Sequence, residues 1–417
     1  MTMTRPLAVP FMLIALACSS PVAAQAPVAA PALKVTTAEG LTLRQTVSTL
    51  TQTAGAAAGE AIALGMALEV GTTPFSTSSG GFVFKLDPAT GLQVRTATTF
   101  GPSFAERALT AGEGKVSVGA NFTFSNYDRL NDRTLEQLPV GAVNANTPGA
   151  SRRSTSTFAL SAKTLVLSGA LGVTDNLDVG VAVPLVTVQV DGTSAFVDGT
   201  GRTLITAAGG GTSVGVGDIG ALVKYRLIHF GADQPDPGGV GVLATIRLPT
   251  GDKDNFRGLG VTRTLLSGIV SAGKGRFRPH GNAGYEFWSK SVDAVSNVSP
   301  LTTVRARNQI QYAAGIELEA APKLTVMMDL IGRHILGAGE VGFRNSPATL
   351  PSDIAAGVTS FDSMVALPEG IRKLNLVPGL KLNLKGKMVL SLNALVSLQD
   401  NGLHARFTPV VGIDLTK

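Results

Sequence analysis

Ser267, Ser271 and His280 stand on two neighbouring stretches of alternating hydrophobicity. A serine hydroxyl beside an imidazole base is a nucleophile for acyl transfer. On a membrane barrel, a lipid hydrolase would carry such a pair on the outer wall near the membrane surface. Nothing else in the chain supports catalysis: it has no G-x-S-x-G element and no phosphate-binding loop. The four histidines, His229, His280, His334 and His404, show no H-x-x-x-H spacing. No metal site is expected, no cofactor is implied, and the chain does not read as an enzyme. The run "GGGTSVGVGD", Gly209 to Asp218, comes before a strand and reads as a flexible loop.

A second set of residues is defined by charge. Lys115, Asp178, Lys224, Arg226, Arg247, Arg278, Glu286, Glu317, Glu319, Asp329 and Arg333 occupy alternate positions in strand-like stretches, opposed by apolar neighbours. A Lys or Arg facing the middle of a bilayer costs ~2–4 kcal/mol, whereas a polar lumen tolerates it. These residues are therefore candidates to line a lumen, either as a pathway or as ion pairs that fill it. Glu106 and Arg107, just before the first long strand, are candidates to tether an N-terminal plug to that wall.

The elements that must position them are strands. In "LNLVPGLKLNLKGKMVLSLNALVSL", Leu374 to Leu398, apolar residues recur at nearly every second position, with Asn375, Lys381, Asn383, Lys387, Ser391 and Asn393 between them. Charged residues make up 15% of the 417 residues, against roughly 25% in soluble domains. No run approaches the ~18 apolar residues of a spanning helix. Twelve candidate strands begin at Lys115 and continue at about 157–172, 177–190, 218–228, 238–249, 263–273, 277–290, 308–319, 323–336, 371–384, 387–398 and 404–416. Their connections alternate between long (128–156, 191–217, 250–262, 291–307, 337–370) and short (173–176, 229–237, 274–276, 320–322, 385–386) until the last. Outer-membrane barrels alternate in this way, with short periplasmic turns and long external loops. Lipid offers no partner for a backbone amide, so such a sheet closes on itself. The expected fold is all-β: a transmembrane antiparallel up-and-down β-barrel of about twelve strands. Fourteen would also return both ends to one side, if the hairpin within Ser78 to Thr99 joined the wall.

The N-terminus combines Arg5, an apolar centre from Leu7 to Ala17 and the small residues Ala24-Gln25-Ala26. This pattern reads as a secretory signal peptide, residues 1–26, cleaved on export. It contains Cys18, the one cysteine, so the mature chain is expected to form no disulfide. Residues 27–113 read as a periplasmic or plug segment, Ala/Pro-rich to about Leu33 and partly helical from Leu41 to Val70. Residues 114–417 read as the barrel. The formal net charge of +6 is scattered, without interleaved aromatics, so nucleic acid is not an expected partner. Outer-membrane lipid and small-molecule solutes are.

The stretches "FGPSFAERALT" (Phe100 to Thr110), "GVTDNLDVGVAVPLV" (Gly172 to Val186), "GVGDIGALVKYRL" (Gly215 to Leu227) and "RLPTGD" (Arg247 to Asp252) together resemble a bacterial outer-membrane barrel family. That family is named after the meta-cleavage pathway of phenol degradation. The resemblance implies a transporter of small, often aromatic or hydrophobic compounds in the bacterial outer membrane. Two alternatives stand beside it: a closed structural or adhesive barrel, and the lipid hydrolase. The loop 337–370, with Val341, Phe343, Leu350, Ile354, Phe361 and Met364, is expected either to constrict the mouth or to bind an external partner.

Overall fold

The computed structural model describes residues 41–51, 56–72, 83–86, 93–139, 154–197, 203–231, 237–294, 304–337, 341–347, 354–355, 357, 359–366, 369–384 and 386–417. Residues 1–26, read above as a signal peptide and containing Cys18, the leader to Leu33, and Leu350 lie outside the described residues. The wall consists of β1 (Val116–Tyr127), β2 (Ser154–Thr174), β3 (Leu177–Val197), β4 (Gly220–His229), β5 (Gly238–Arg247), β6 (Arg263–Ala272), β7 (Phe277–Trp288), β8 (Val304–Ala321), β9 (Leu324–Leu336), β10 (Ile371–Asn383), β11 (Met388–Ser397) and β12 (Phe407–Thr416). Each is antiparallel to its sequence neighbour, and β1 pairs with β12, from Ser117 opposite Thr416 to Thr123 opposite Val410. The ring is closed with twelve strands. The hairpin Phe84–Leu86 with Gln93–Arg95 forms its own two-stranded sheet and adds nothing to the wall.

Alternation sorts the side chains as hydrophobicity dictates. On β8, Ile310, Tyr312 and Ile316 are exposed on the outside, while Gln309 and Glu317 are buried within. On β1, Val116, Val118, Phe122 and Phe124 point out and Ser117, Asn121 and Thr123 point in. The result is an exposed apolar belt around the ring, the surface that hydrocarbon demands and water disfavours.

Two expectations about loops need correction. Gly209 to Asp218 is not a flexible loop: Thr203–Val216 is a strand paired with the upper half of β3, from Leu185 to Val197. Its Thr and Val residues favour an extended chain, and its glycines make room, since a Cβ on Gly215 would collide with the Arg257 guanidinium. The loop 250–262 is not purely external either. It folds inward and buries Phe256, Leu259 and Val261 in the main apolar cluster. The loop 337–370 forms a hairpin, Val341–Pro347 with Ser360–Ala366. Val341 is buried in that same cluster, Phe343 packs on it, and Ile354 is exposed.

The N-terminal segment occupies the bore. Helix α1 (Leu43–Leu50) starts with a capping box between Thr42 and Gln45 and buries Leu43, Val47 and Leu50. Helix α2 (Ala56–Gly71), "AAAGEAIALGMALEVG", carries only Glu60 and Glu69 as charges. A helix apolar on every side must be surrounded, and α2 is: Ile62, Leu64, Met66 and Leu68 are buried in a cluster with Tyr127, Phe158, Trp288, Ile335 and Ile371 at the long-loop end of the strands. Residues 96–113 lie at the other end, where Gly114 N–H donates to the Gly172 carbonyl beside the β2–β3 turn.

Candidate functional site

Register places the inward residues of adjacent strands in rows, and the rows carry charge. Asp178 on β3 is directly opposite Lys224 on β4. Arg278 on β7 faces Glu317 on β8. His280, Gly315 and Asp329 form one row across β7, β8 and β9. Gly315 has no side chain to intervene, so His280 Nε2 reaches Asp329 Oδ1 at 2.9 Å. A Cβ on Gly315 would strike both partners.

The stretch from Phe100 to Ala111 is bonded to these rows. Phe100 N–H donates to Thr325 Oγ1 at 3.1 Å and Gly101 N–H to Glu317 Oε2 at 3.0 Å. Ser103 Oγ donates to Asn393 Oδ1 at 2.8 Å, and Lys381 Nζ donates to the Pro102 carbonyl at 2.8 Å. Glu106 N–H donates to Asn282 Oδ1 at 3.1 Å, Ala108 N–H to Ser271 Oγ at 3.0 Å, and Ala111 N–H to both carboxylate oxygens of Asp178. Two ion pairs add to this. Glu106 Oε2 lies 3.5 Å from Lys224 Nζ, and Arg107 Nη1 lies 3.7 Å from Glu317 Oε2. All four side chains are buried.

Nearer the long loops, Arg263 Nη2 lies 3.2 Å from Asp218 and Nη1 lies 3.8 Å from Glu286, while Nη2 also donates to the Gly71 carbonyl at the end of α2. Glu286 accepts from Trp288 Nε1, Gln309 and Gln311. Asp218 accepts from Gly251 N–H and Leu259 N–H, which holds the inward loop. Glu69 Oε1 lies 3.0 Å from Arg333 Nη2 and 3.1 Å from Lys373 Nζ. Next to them is His404, in the connection after β11. Burial, the largest influence on its imidazole, pushes its pKa below the usual histidine value.

Of the residues singled out by alternation, Asp178, Lys224, Arg226, Arg247, Arg278, Glu286, Glu317 and Asp329 are buried inside the ring. Arg333 faces inward against Glu69. Lys115 and Glu319 are half-buried at the short-turn rim, with Lys115 Nζ 4.7 Å from the Phe84 ring centroid. Glu106 and Arg107 meet the wall charges Lys224 and Glu317. The residues do not form one constellation. They divide among separate clusters along the bore.

The hydrolase alternative needed its serines and histidine on the outer wall, and the same parity places them inside. Ser267, Ser271 and His280 are buried on the lumen side, not displayed on the outer wall. Ser271 Oγ accepts from the Ala108 amide, and His280 is bound to Asp329 and lies 3.6 Å from Glu317. Sequence reasoning missed Glu69, Asp218, Arg263 and Lys373. The available signal for Glu69 was its place as one of two charges on an otherwise apolar helix.

The four motif stretches meet at the contacts just described. Phe100 to Thr110 runs through the bonded stretch, and Asp178 accepts from Ala111, the residue that follows it. Asp218 and Thr250 join the other two: Thr250 Oγ1 donates to the Gly217 carbonyl at 2.7 Å and accepts from Ile219 N–H at 2.9 Å.

No family model and no curated protein sequence matches the chain. Solved structures of similar architecture include an outer-membrane channel from Pseudomonas putida F1, at 13% identity and a TM-score of 0.44, covering 74% of this chain and 98% of that one. A toluene transporter from Ralstonia pickettii gives 15% identity and a TM-score of 0.33 over 73% of this chain and 90% of its own. A FadL homologue from Pseudomonas aeruginosa gives 11% and 0.31 over 82% and 98%. At these identities the likeness concerns barrel architecture alone.

Proposed function

We propose that the protein is a bacterial outer-membrane barrel for the passage of small solutes, exported through a cleaved N-terminal signal, with the segment up to residue 113 as its resident plug. The reading is carried by one observation: a ring with an apolar outside and a charged inside is crossed by a single stretch of chain bonded to the inner rows. Between ~8 strands, where side chains fill a barrel, and ~16, where water does, a twelve-stranded bore has room for such an occupant. The contacts along Phe100 to Ala111 are hydrogen bonds and two ion pairs, beside small separate apolar clusters in which Phe100 meets Val389 and Ala108 meets Leu243 and Ile269.

A closed structural barrel is the second reading, favoured by the pairing of inward charges with one another. Single-channel recording in planar bilayers separates the two. The plugged channel shows small, infrequent openings in the native chain and larger ones in Arg107→Ala. A barrel silent in both forms, although folded and inserted, would refute passage.

A further inference from the structure

Two arginines and a histidine stand on the outer wall where the apolar belt ends. His334 of β9 is directly opposite Arg372 of β10. Arg307 of β8 is at the next outward position toward the long loops, opposite Leu336. Arg307 and Arg372 are exposed and His334 is half-buried. Strand parity turns all three outward, since their neighbours Ala306, Ile335 and Ile371 are buried in the bore. Among the described residues, neither guanidinium has an ion pair or a hydrogen bond.

The surface below them is shaped. Tyr312 of β8 is opposite Gly332 of β9, and a Cβ on Gly332 would strike the Tyr312 ring. The ring therefore lies across β9, with its hydroxyl one outward position below His334. The His334 imidazole lies over Gly370 in the same way. On β7, the rings of Tyr285 and Phe287 meet edge-on at 4.7 Å, and Asn308 Nδ2 donates to the Tyr285 hydroxyl at 2.9 Å. Further down, Ile316, Met328 and Leu330 are exposed. Cations, then aromatic rings, then apolar side chains follow one another down β8 and β9. Aromatic rings of this kind sit at the headgroup level of a membrane.

We infer that this face binds a lipid whose headgroup ends in a phosphate monoester, with the phosphate between Arg307 and Arg372 and the acyl chains along Leu330 and Met328. A phosphate monoester carries about −1.5 to −2 charge at pH 7, which two permanently charged guanidiniums match. Each guanidinium fork holds two of its oxygens, and the Tyr312 hydroxyl is a further donor. Neighbouring strands are about 4.8 Å apart, so the two arginines stand about 10 Å apart across the sheet, and their long side chains converge on one group. Salt screens a free anion from exposed cations. A lipid instead arrives with its phosphate held at this depth by its chains. The inference rests on the outer belt facing lipid and is independent of passage.

Native mass spectrometry of the full-length chain, released from detergent micelles, counts the lipids retained. The probes are dioleoyl phosphatidic acid, dioleoyl phosphatidylcholine and inorganic phosphate. Expected is one phosphatidic acid held at least about tenfold more tightly than phosphatidylcholine, with inorganic phosphate not retained. Arg307→Gln combined with Arg372→Gln should reduce phosphatidic acid to the level of phosphatidylcholine. Arg372→Gln alone should remove part of the preference, and it keeps the test decisive if the double variant does not fold. Lys163→Gln removes an exposed charge from β2 and should leave the preference intact. Equal retention of the two lipids, a preference that survives both arginine variants, its loss in Lys163→Gln, or phosphate held as tightly as phosphatidic acid would overturn the site. Detergent suffices for this test, so its failure is distinct from failure of the belt to enter a bilayer, which folding into vesicles reads.

Discussion

Lys224 Nζ lies 3.5 Å from Glu106 Oε2 and 3.6 Å from Asp178 Oδ2, and the lysine side chain is fully buried. One wall cation thus holds a carboxylate of the N-terminal segment against a carboxylate of its own wall. Lys224→Met would leave the two acids facing each other in an enclosed space. Breaking a buried pair by removing one partner costs about 3–5 kcal/mol. The expected result is a lower unfolding temperature on heat-modifiability gels and larger channel openings. Glu106→Gln, which leaves Lys224 with Asp178, should shift both by less.

Leu266 and Ser267 are neighbours on β6, one exposed on the outer belt and one buried inside. If the belt faces hydrocarbon, Leu266→Arg costs about 2–4 kcal/mol in folding into lipid vesicles. The same substitution should be far milder in detergent, where micelles deform around a charge. Equal effects in both media would mean that the belt is not in the bilayer core.

Phe256 adopts a left-handed conformation, with φ of 58°, and is completely buried. Only a large packing gain sustains a bulky residue there. Phe256→Ala should cost about 3–5 kcal/mol, release the inward loop and increase conductance. Phe256→Gly, which relieves the backbone but removes the same ring, should open the channel to a similar degree.

Asp252 anchors the turn of that loop. It accepts from Asn255 Nδ2 at 2.7 Å, from the backbone N–H groups of Asp254 and Asn255, and from Arg257. These bonds, that from Asn255 foremost, hold its carboxyl below the ordinary range. Stabilisation from a depressed carboxyl is complete above the unfolded value and disappears as the pH falls through the folded one. Amide exchange at Asp254 and Asn255, corrected for intrinsic rates, should therefore accelerate below about pH 4. Asp252→Asn should lose this pH dependence.

The wall was legible because each strand states its own orientation: Ile310, Tyr312 and Ile316 against Gln309 and Glu317 need no knowledge of the rest of the chain. The interior was less so. Glu69 meets Arg333 and Lys373 across more than half the chain, and no local pattern encodes that. The inward fold of 250–262 depends on Asp218 accepting from Gly251 and Leu259, 33 and 41 positions away, a relation that no local pattern encodes. Thr203–Val216 was hidden by glycine, whose usual meaning is flexibility and whose meaning at Gly215 is space for Arg257. Ser271 and His280 were read as lying on neighbouring strands, and they are register partners. Their parity was not legible, because Leu265 and Ile269 oppose Leu266 and Val270 and both faces of β6 read as apolar.

The stretch that occupies the bore runs directly into β1, and β1 makes the joint with β12. Zipping that seam and drawing the preceding stretch into the bore should therefore be coupled. Refolding from urea into vesicles should show no hollow ring on the way: protease resistance of the strands and of α2 should appear together.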